Sequence, residues 1–201
     1  MKNIVFDFGG VLVDWNPHHL YDKYFGSVEK AEWFLNNICL YSWNIQMDGG
    51  KPFAEGVAEL QAEYPEWSEA IAIYHTRWIE MMGGEIAGMA DIVKRLKEAG
   101  YGVYGLTNWS SETFPLVRDK YAIFKQLDGM VVSGEEHLLK PDAAIYKCLL
   151  ERYNLQAEES LFVDDNADNV TGARNVGMKA VRFTSVAELE RELKDVYGLQ
   201  F

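Results

Sequence analysis

Leu161-Phe162-Val163-Asp164-Asp165 and Ile4-Val5-Phe6-Asp7 share one pattern: a short apolar run that stops on aspartate. Runs of this length predict buried strands. A carboxylate at the end of such a strand is costly, because a charge taken out of water has to be paired or bound to a metal. If the two strands lie side by side, three carboxylates meet at one sheet edge. At ~4 Å and an effective dielectric near 20, each like-charge pair costs roughly 4 kcal/mol. A divalent cation relieves that repulsion, so the two strand ends predict a magnesium site and a nucleophile site together.

Working outward, strand candidates recur at Tyr101–Leu106, Met130–Val132 and Ala180–Phe183, with helical patterns between them. Short, nearly continuous apolar strands separated by helices predict a parallel α/β sheet covered on both faces. Helices are expected over Asp91–Ala99 with Gly100 as its stop, over Ala143–Tyr153 after Pro141-Asp142, and over Asn169–Asn175 before Gly177. The last helix opens at Ser185 with Glu188 three residues on, a capping box. Residues 16–85 differ. They lack strand alternation, carry apolar residues at three- and four-residue spacing, and hold Trp33, Trp43, Trp67 and Trp78. They predict a helical insert between the first and second strands, with hinges at Asp14–Pro17 and Gly83-Gly84.

The chain has 201 residues, 48% hydrophobic and 25% charged, as in an ordinary globular protein. A net charge of −12, without a basic stripe, argues against nucleic acid and anionic membrane as partners. It leaves room for a small anionic substrate in a locally positive pocket. Cys39 and Cys148 have no metal-ligand spacing and are expected as buried free thiols in a reducing compartment. The N-terminal apolar run is too short for a signal peptide, and no stretch reaches the ~20 residues that span a bilayer. The expected location is the cytoplasm. Monomer and homodimer both stay open.

In open parallel sheets, ligands bind beyond the carboxyl ends of the strands. There the sequence gathers Asp7, Thr107-Asn108, Ser133-Gly134-Glu135-Glu136 before Lys140-Pro141, and Asp164-Asp165. At these residues the chain resembles the haloacid dehalogenase-like hydrolase superfamily. Asp7-Phe8-Gly9-Gly10-Val11-Leu12 is similar to its first motif, Leu106-Thr107-Asn108 to the second, Lys140-Pro141 to the third and Val163-Asp164-Asp165-Asn166 to the fourth. Phe162 to Asn169 is similar, more narrowly, to bacterial α-D-glucose-1-phosphate phosphatase-type members. The resemblance implies a Rossmann-like core over residues 1–15 and 86–201, and a small α-helical cap over 16–85. It implies a Mg²⁺-dependent phosphatase acting on a small phosphorylated metabolite, such as a sugar phosphate. Asp7 would attack phosphorus and become an aspartyl phosphate. Asp7, the Gly9 carbonyl and Asp165 would hold Mg²⁺, with Asp164 acting directly or through water. Thr107 and Asn108 would bind the phosphoryl oxygens, and Lys140 would neutralise their charge.

One residue departs from the pattern. Many phosphatases of this family carry a second aspartate two residues after the nucleophile, as general acid and base, where this chain has Gly9. The nearby Asp14 is a weak substitute. The residues also have simpler roles to weigh: Asp164-Asp165 and Thr107-Asn108 suit helix N-termini, Trp15, Trp43 and Trp109 suit packing, and the four histidines lack ligand spacing. Three other functions compete. A 2-haloacid dehalogenase would use the same nucleophile without a metal, which the Asp164-Asp165 pair disfavours. A phospho-accepting receiver module would place its acidic pair early in the chain rather than late. A non-catalytic phosphate-binding module fits the loss of the acid at position 9.

Overall fold

Strand and helix alternate because the apolar runs end in turn-forming or polar residues. The computed structural model describes residues 1–201. From the N-terminus come β1 (Asn3–Phe6) and a short β2 (Val13–Trp15). Five helices follow: α1 (His18–Phe25), α2 (Val28–Asn37), α3 (Tyr41–Asp48), α4 (Phe53–Glu63) and α5 (Ser68–Thr76). Then come β3 (Met82–Glu85), α6 (Met89–Glu98), β4 (Gly102–Thr107) and α7 (Pro115–Arg118). The chain continues through β5 (Gly129–Val132), α8 (Ser133–Glu136) and α9 (Ala143–Arg152). It closes with β6 (Ser160–Asp164), α10 (Ala167–Asn175), β7 (Lys179–Arg182) and α11 (Val186–Asp195).

Five strands form one parallel sheet in the order β5-β4-β1-β6-β7. Each lies within a residue or two of a run expected from the sequence. Alternate side chains feed opposite faces. Ile4 and Phe6 of β1 join Leu161 and Val163 of β6 in one core cluster, against α6 and the insert. Val5 and Phe162 join Leu106, Ile145 and Leu149 in a second, under α9 and α10. Both faces are therefore covered, the reason the strands read as unbroken apolar runs. Register pairs Phe6 with Gly105 on one side and with Val163 on the other. Asp7 consequently leaves the sheet beside the ends of β4 and β6. Caps follow local chemistry: Ser185 accepts from the Glu188 N–H, and Asn166 from the Asp168 N–H.

Two expectations need correction. The stretch 16–85 is not without strand, and the expected hinge segments Asp14–Pro17 and Gly83-Gly84 carry strand residues that pair with each other. β2 and β3 pair as an antiparallel ribbon, Val13 with Glu85, Asp14 with Gly84 and Trp15 with Met82. Three- and four-residue strands containing adjacent glycines carry too little alternation to be recognised. Cys39 is buried, but Cys148 is only half-buried on α9, beside Arg152 and Glu136; both thiols are free. No helix is long and apolar enough to cross a membrane.

Candidate active site

The carboxyl edge of the sheet converges on one cavity of about 270 Å³. Its lining includes Asp7, Gly9 and Gly10 after β1, Thr107 at the end of β4 with Asn108 and Trp109 after it, Lys140, and Asp165, Asn166 and Asn169 after β6. The insert contributes Tyr41, Asn44, Asp48 and Trp78, and β2 contributes Trp15.

Asp7 is fixed from behind. Its backbone N–H donates to Val163 O at 2.9 Å, and its Oδ1 accepts from the Phe8 N–H at 2.7 Å. The Phe8 ring lies over Gly105, where any Cβ would stand 2.3 Å from it, and packs on Phe124 at 4.7 Å between centroids. A core aromatic thus anchors the residue next to the carboxylate.

Lys140 lies wholly buried between two acids, its Nζ 2.9 Å from Asp7 Oδ1 and 2.6 Å from Asp164 Oδ2. Burial opposes that ammonium, but the charges of Asp7 and Asp164 outweigh it and hold the group above its ordinary range. Asp164 has no exposed surface, and its oxygens also accept from the Asn166 N–H and from Asn169 Nδ2. It thus bridges Lys140 and the start of the following helix, although the cap of that helix is Asn166. Asn108 has a positioning role that the sequence does not reveal: its side chain donates to Lys140 O at 3.0 Å and accepts from the Lys140 N–H at 2.9 Å. One of its amide hydrogens is left for a ligand. Thr107 makes only a marginal 3.5 Å contact, to Asn108 O, and its hydroxyl stays available.

Oxygens of Asp7, Asp164 and Asp165 lie within 4.8 Å of one another. With three carboxylates and one ammonium, the cluster lacks positive charge. Burial pushes Asp7 up to about 8, with Asp164 adding to the rise and Lys140 opposing it. Asp165 is also raised, by partial burial and then by Asp164. The Gly9 carbonyl accepts no hydrogen bond, whereas its neighbour Phe8 O accepts from Val11, Leu12 and Val13. An all-oxygen donor set with a free carbonyl and surplus negative charge fits a hard divalent cation.

Gly10 adopts φ +76°, and a Cβ there would lie 2.8 Å from Asp165 Oδ2. Gly10→Ala should therefore displace Asp165 and strain the loop. If the cluster holds Mg²⁺, the expected result is at least about tenfold weaker Mg²⁺ binding, the range seen when support of a metal ligand is lost. Titration calorimetry with Mg²⁺ checks it; an unchanged affinity would remove Asp165 from the donor set.

Among the aromatics, Trp15 and Trp109 line the cavity, while Trp43 packs on Phe53 and Tyr74 and donates to Gly56 O. Trp78 lines it too, without a signal that marks it in the sequence. The Trp109 indole N–H is the only buried side-chain polar atom without a hydrogen-bond partner. Asp14 is absent from the lining and pairs with His19 at 2.7 Å. His18 pairs with Asp22, His75 with Glu112, and His137 meets Gly49 O.

Several known proteins are similar to this chain. A sesquiterpene phosphatase of Aspergillus oryzae is 27% identical over 211 aligned positions, covering 98% of this chain and 97% of that protein. A glyceraldehyde 3-phosphate phosphatase of Pyrococcus furiosus is 31% identical over 146 positions, 68% of this chain and 58% of that protein. The fold matches a solved HAD family enzyme of Bacteroides thetaiotaomicron, in its magnesium complex, with a TM-score of 0.72 at 20% identity, over 95% of this chain and 98% of that one. The family model for haloacid dehalogenase-like hydrolases matches residues 1–177. With that match spanning four of the five sheet strands, the insert and all four strand-end motifs, the chain belongs to the haloacid dehalogenase-like hydrolases.

Proposed function

We propose that this hydrolase is a Mg²⁺-dependent phosphatase of small phosphorylated metabolites, sugar phosphates foremost, working through an aspartyl phosphate on Asp7. The observation that carries this reading is the placement of Asp165 beside Asp7 and Asp164, a cluster short of positive charge. A dehalogenase, which needs no metal, has no use for that surplus of carboxylates.

Asp7, Asp165 and the Gly9 carbonyl would hold the cation, with Asp164 supporting through Lys140. Bound there, it would supply positive charge against the phosphoryl oxygens. An Asp7 oxygen attacks phosphorus, the bond to the leaving oxygen breaks, and water later cleaves the acyl phosphate. Lys140 neutralises charge on the transferring group from a site with no solvent to screen it. The Thr107 hydroxyl and the free Asn108 amide hydrogen hold phosphoryl oxygens. The helices over 16–85 act as the cap, with Tyr41 and Trp78 excluding water. Asn44, Asp48 and Thr113 give the cavity hydrogen-bonding groups suited to hydroxyls, and the aromatic walls suit the apolar face of a sugar ring.

A phosphate-release screen with Mg²⁺ tests this. It sets sugar 1-phosphates against 6-phosphates, nucleotides and a prenyl phosphate. Hydrolysis of at least one small sugar phosphate, abolished by EDTA and restored by Mg²⁺, is the expected result. Preference for the prenyl ester would keep the phosphatase and replace its substrate class. Halide release from 2-chloropropionate in EDTA, without phosphate release, would overturn the reading in favour of the dehalogenase.

A further inference from the structure

The first motif leaves the site without an acid for the leaving group. Gly9 offers only backbone, and Asp14, the nearest substitute in sequence, is tied to His19 outside the cavity. The carboxylates that do line the cavity are Asp7, Asp165 and Asp48. The first two belong to the cation cluster. Asp48 stands apart from it, on the insert.

Its setting is unusual for a structural acid. Asp48 is the last residue of α3, where the helix dipole disfavours negative charge. It is nonetheless buried, at 8% exposure. Asn44, one turn earlier, donates from Nδ2 to Asp48 Oδ2 at 3.0 Å and fixes the carboxyl. The backbone is fixed as well: the Ser133 hydroxyl donates to Asp48 O at 2.5 Å and accepts from the Trp109 N–H at 2.8 Å. Tyr41, Asn44 and Asp48 fall on one side of α3 by helical spacing, and all three line the cavity. Of the other protic groups there, the Tyr41 phenol is a much weaker acid.

We propose that Asp48 is the proton donor to the leaving-group oxygen, supplied from the insert in place of the acid missing at Gly9; this rests on the phosphatase reading above. In the first step an Asp7 oxygen bonds to phosphorus. The bond from phosphorus to the leaving oxygen breaks, its electron pair stays on that oxygen, and the oxygen takes the Asp48 proton. The alcohol departs and Asp48 is left as carboxylate. In the second step water bonds to phosphorus, Asp48 takes back a proton from that water, and the bond to Asp7 breaks to release phosphate. Burial pushes Asp48 up to about 7, against a backbone hydrogen bond from Ser110 and the Lys140 ammonium, so both its protonated and its charged form are populated near neutrality. That is where a general acid works best.

The test uses kcat/KM for two esters in one preparation of Asp48→Asn: a sugar or other alkyl phosphate, whose leaving group needs a proton, and p-nitrophenyl phosphate, whose leaving group does not. Loss of about 10²–10⁴-fold on the alkyl ester and of less than about tenfold on the aryl ester is expected. The ratio is independent of the folded fraction. Equal losses on both, or no loss on the alkyl ester, would overturn the assignment while leaving the phosphatase intact. Absence of wild-type hydrolysis of any phosphate ester would overturn both readings. A second measurement needs no variant. Across alkyl and aryl phosphates, wild-type kcat/KM should depend only weakly on leaving-group pKa; a steep dependence would overturn the role of Asp48.

Discussion

Asp7→Asn should lose at least about 10³-fold in p-nitrophenyl phosphate turnover, the scale on which nucleophile removal acts in enzymes with a covalent intermediate. The variant keeps the shape of the side chain and its contact with the Phe8 N–H, but an amide oxygen is a poor nucleophile for phosphorus. The same change should not cost stability. Burial holds the Asp7 carboxyl far above its ordinary range in the folded state, with Asp164 adding to the rise and the Lys140 ammonium opposing it. A folded-state pKa that high means folding works against the charge at neutral pH. The asparagine form should therefore melt at the same temperature as the wild type, or higher, when both are in EDTA. Phosphate release and thermal melting on one sample decide it. Full activity would remove Asp7 as the nucleophile. A large fall in melting temperature would show that the carboxylate stabilises the apo fold.

Lys140→Ala should have the opposite profile for stability. The ammonium is the only buried cation between Asp7 and Asp164, and its removal leaves two buried acids facing each other without a counter-charge. Breaking a buried pair by deleting one partner costs about 3–5 kcal/mol. For a chain of this size that amounts to a fall of roughly 6–20 °C in melting temperature. Activity should fall as well, because charge on the transferring group loses its dry counter-charge. Saturating Mg²⁺ should restore part of the lost stability, since a ligand that binds only the folded state stabilises it by mass action. Melting curves with EDTA and with Mg²⁺ check both parts; an unchanged midpoint in EDTA would mean the carboxylates are not held charged against Lys140.

The sheet and the carboxylate cluster are legible in the sequence for one physical reason. Strands buried on both faces have to be apolar throughout, so an aspartate that ends such a run stands out. Asp7, Asp164 and Asp165 come together by strand register, with the Phe6 pair to Val163 setting their spacing, while Lys140 reaches them from a loop that Asn108 holds at the end of β4. What the sequence conceals is tertiary. Asp48 precedes Gly49-Gly50 and looks like a solvated acid at a helix end until α3 docks on Ser133. Trp78 looks like one core aromatic among several. The side chain of Asn108 looks like a phosphate ligand, and only the fold reveals its reciprocal bonds to the Lys140 backbone. The β2–β3 ribbon is silent because its pairing, not its composition, makes it strand.

That ribbon governs how the insert can travel. The chain crosses between sheet and insert twice, and the two crossings are hydrogen-bonded to each other. A double strap resists twist and sideways splay but flexes across its own plane, most readily at the irregular step between Asp14 and Trp15. Any swing of the helices about that ribbon would thereby be confined to a single arc. Trp15 stands at the pivot and is also a wall of the cavity. In the phosphatase proposed above, admission of a substrate and its enclosure would be geared to one mechanical coordinate.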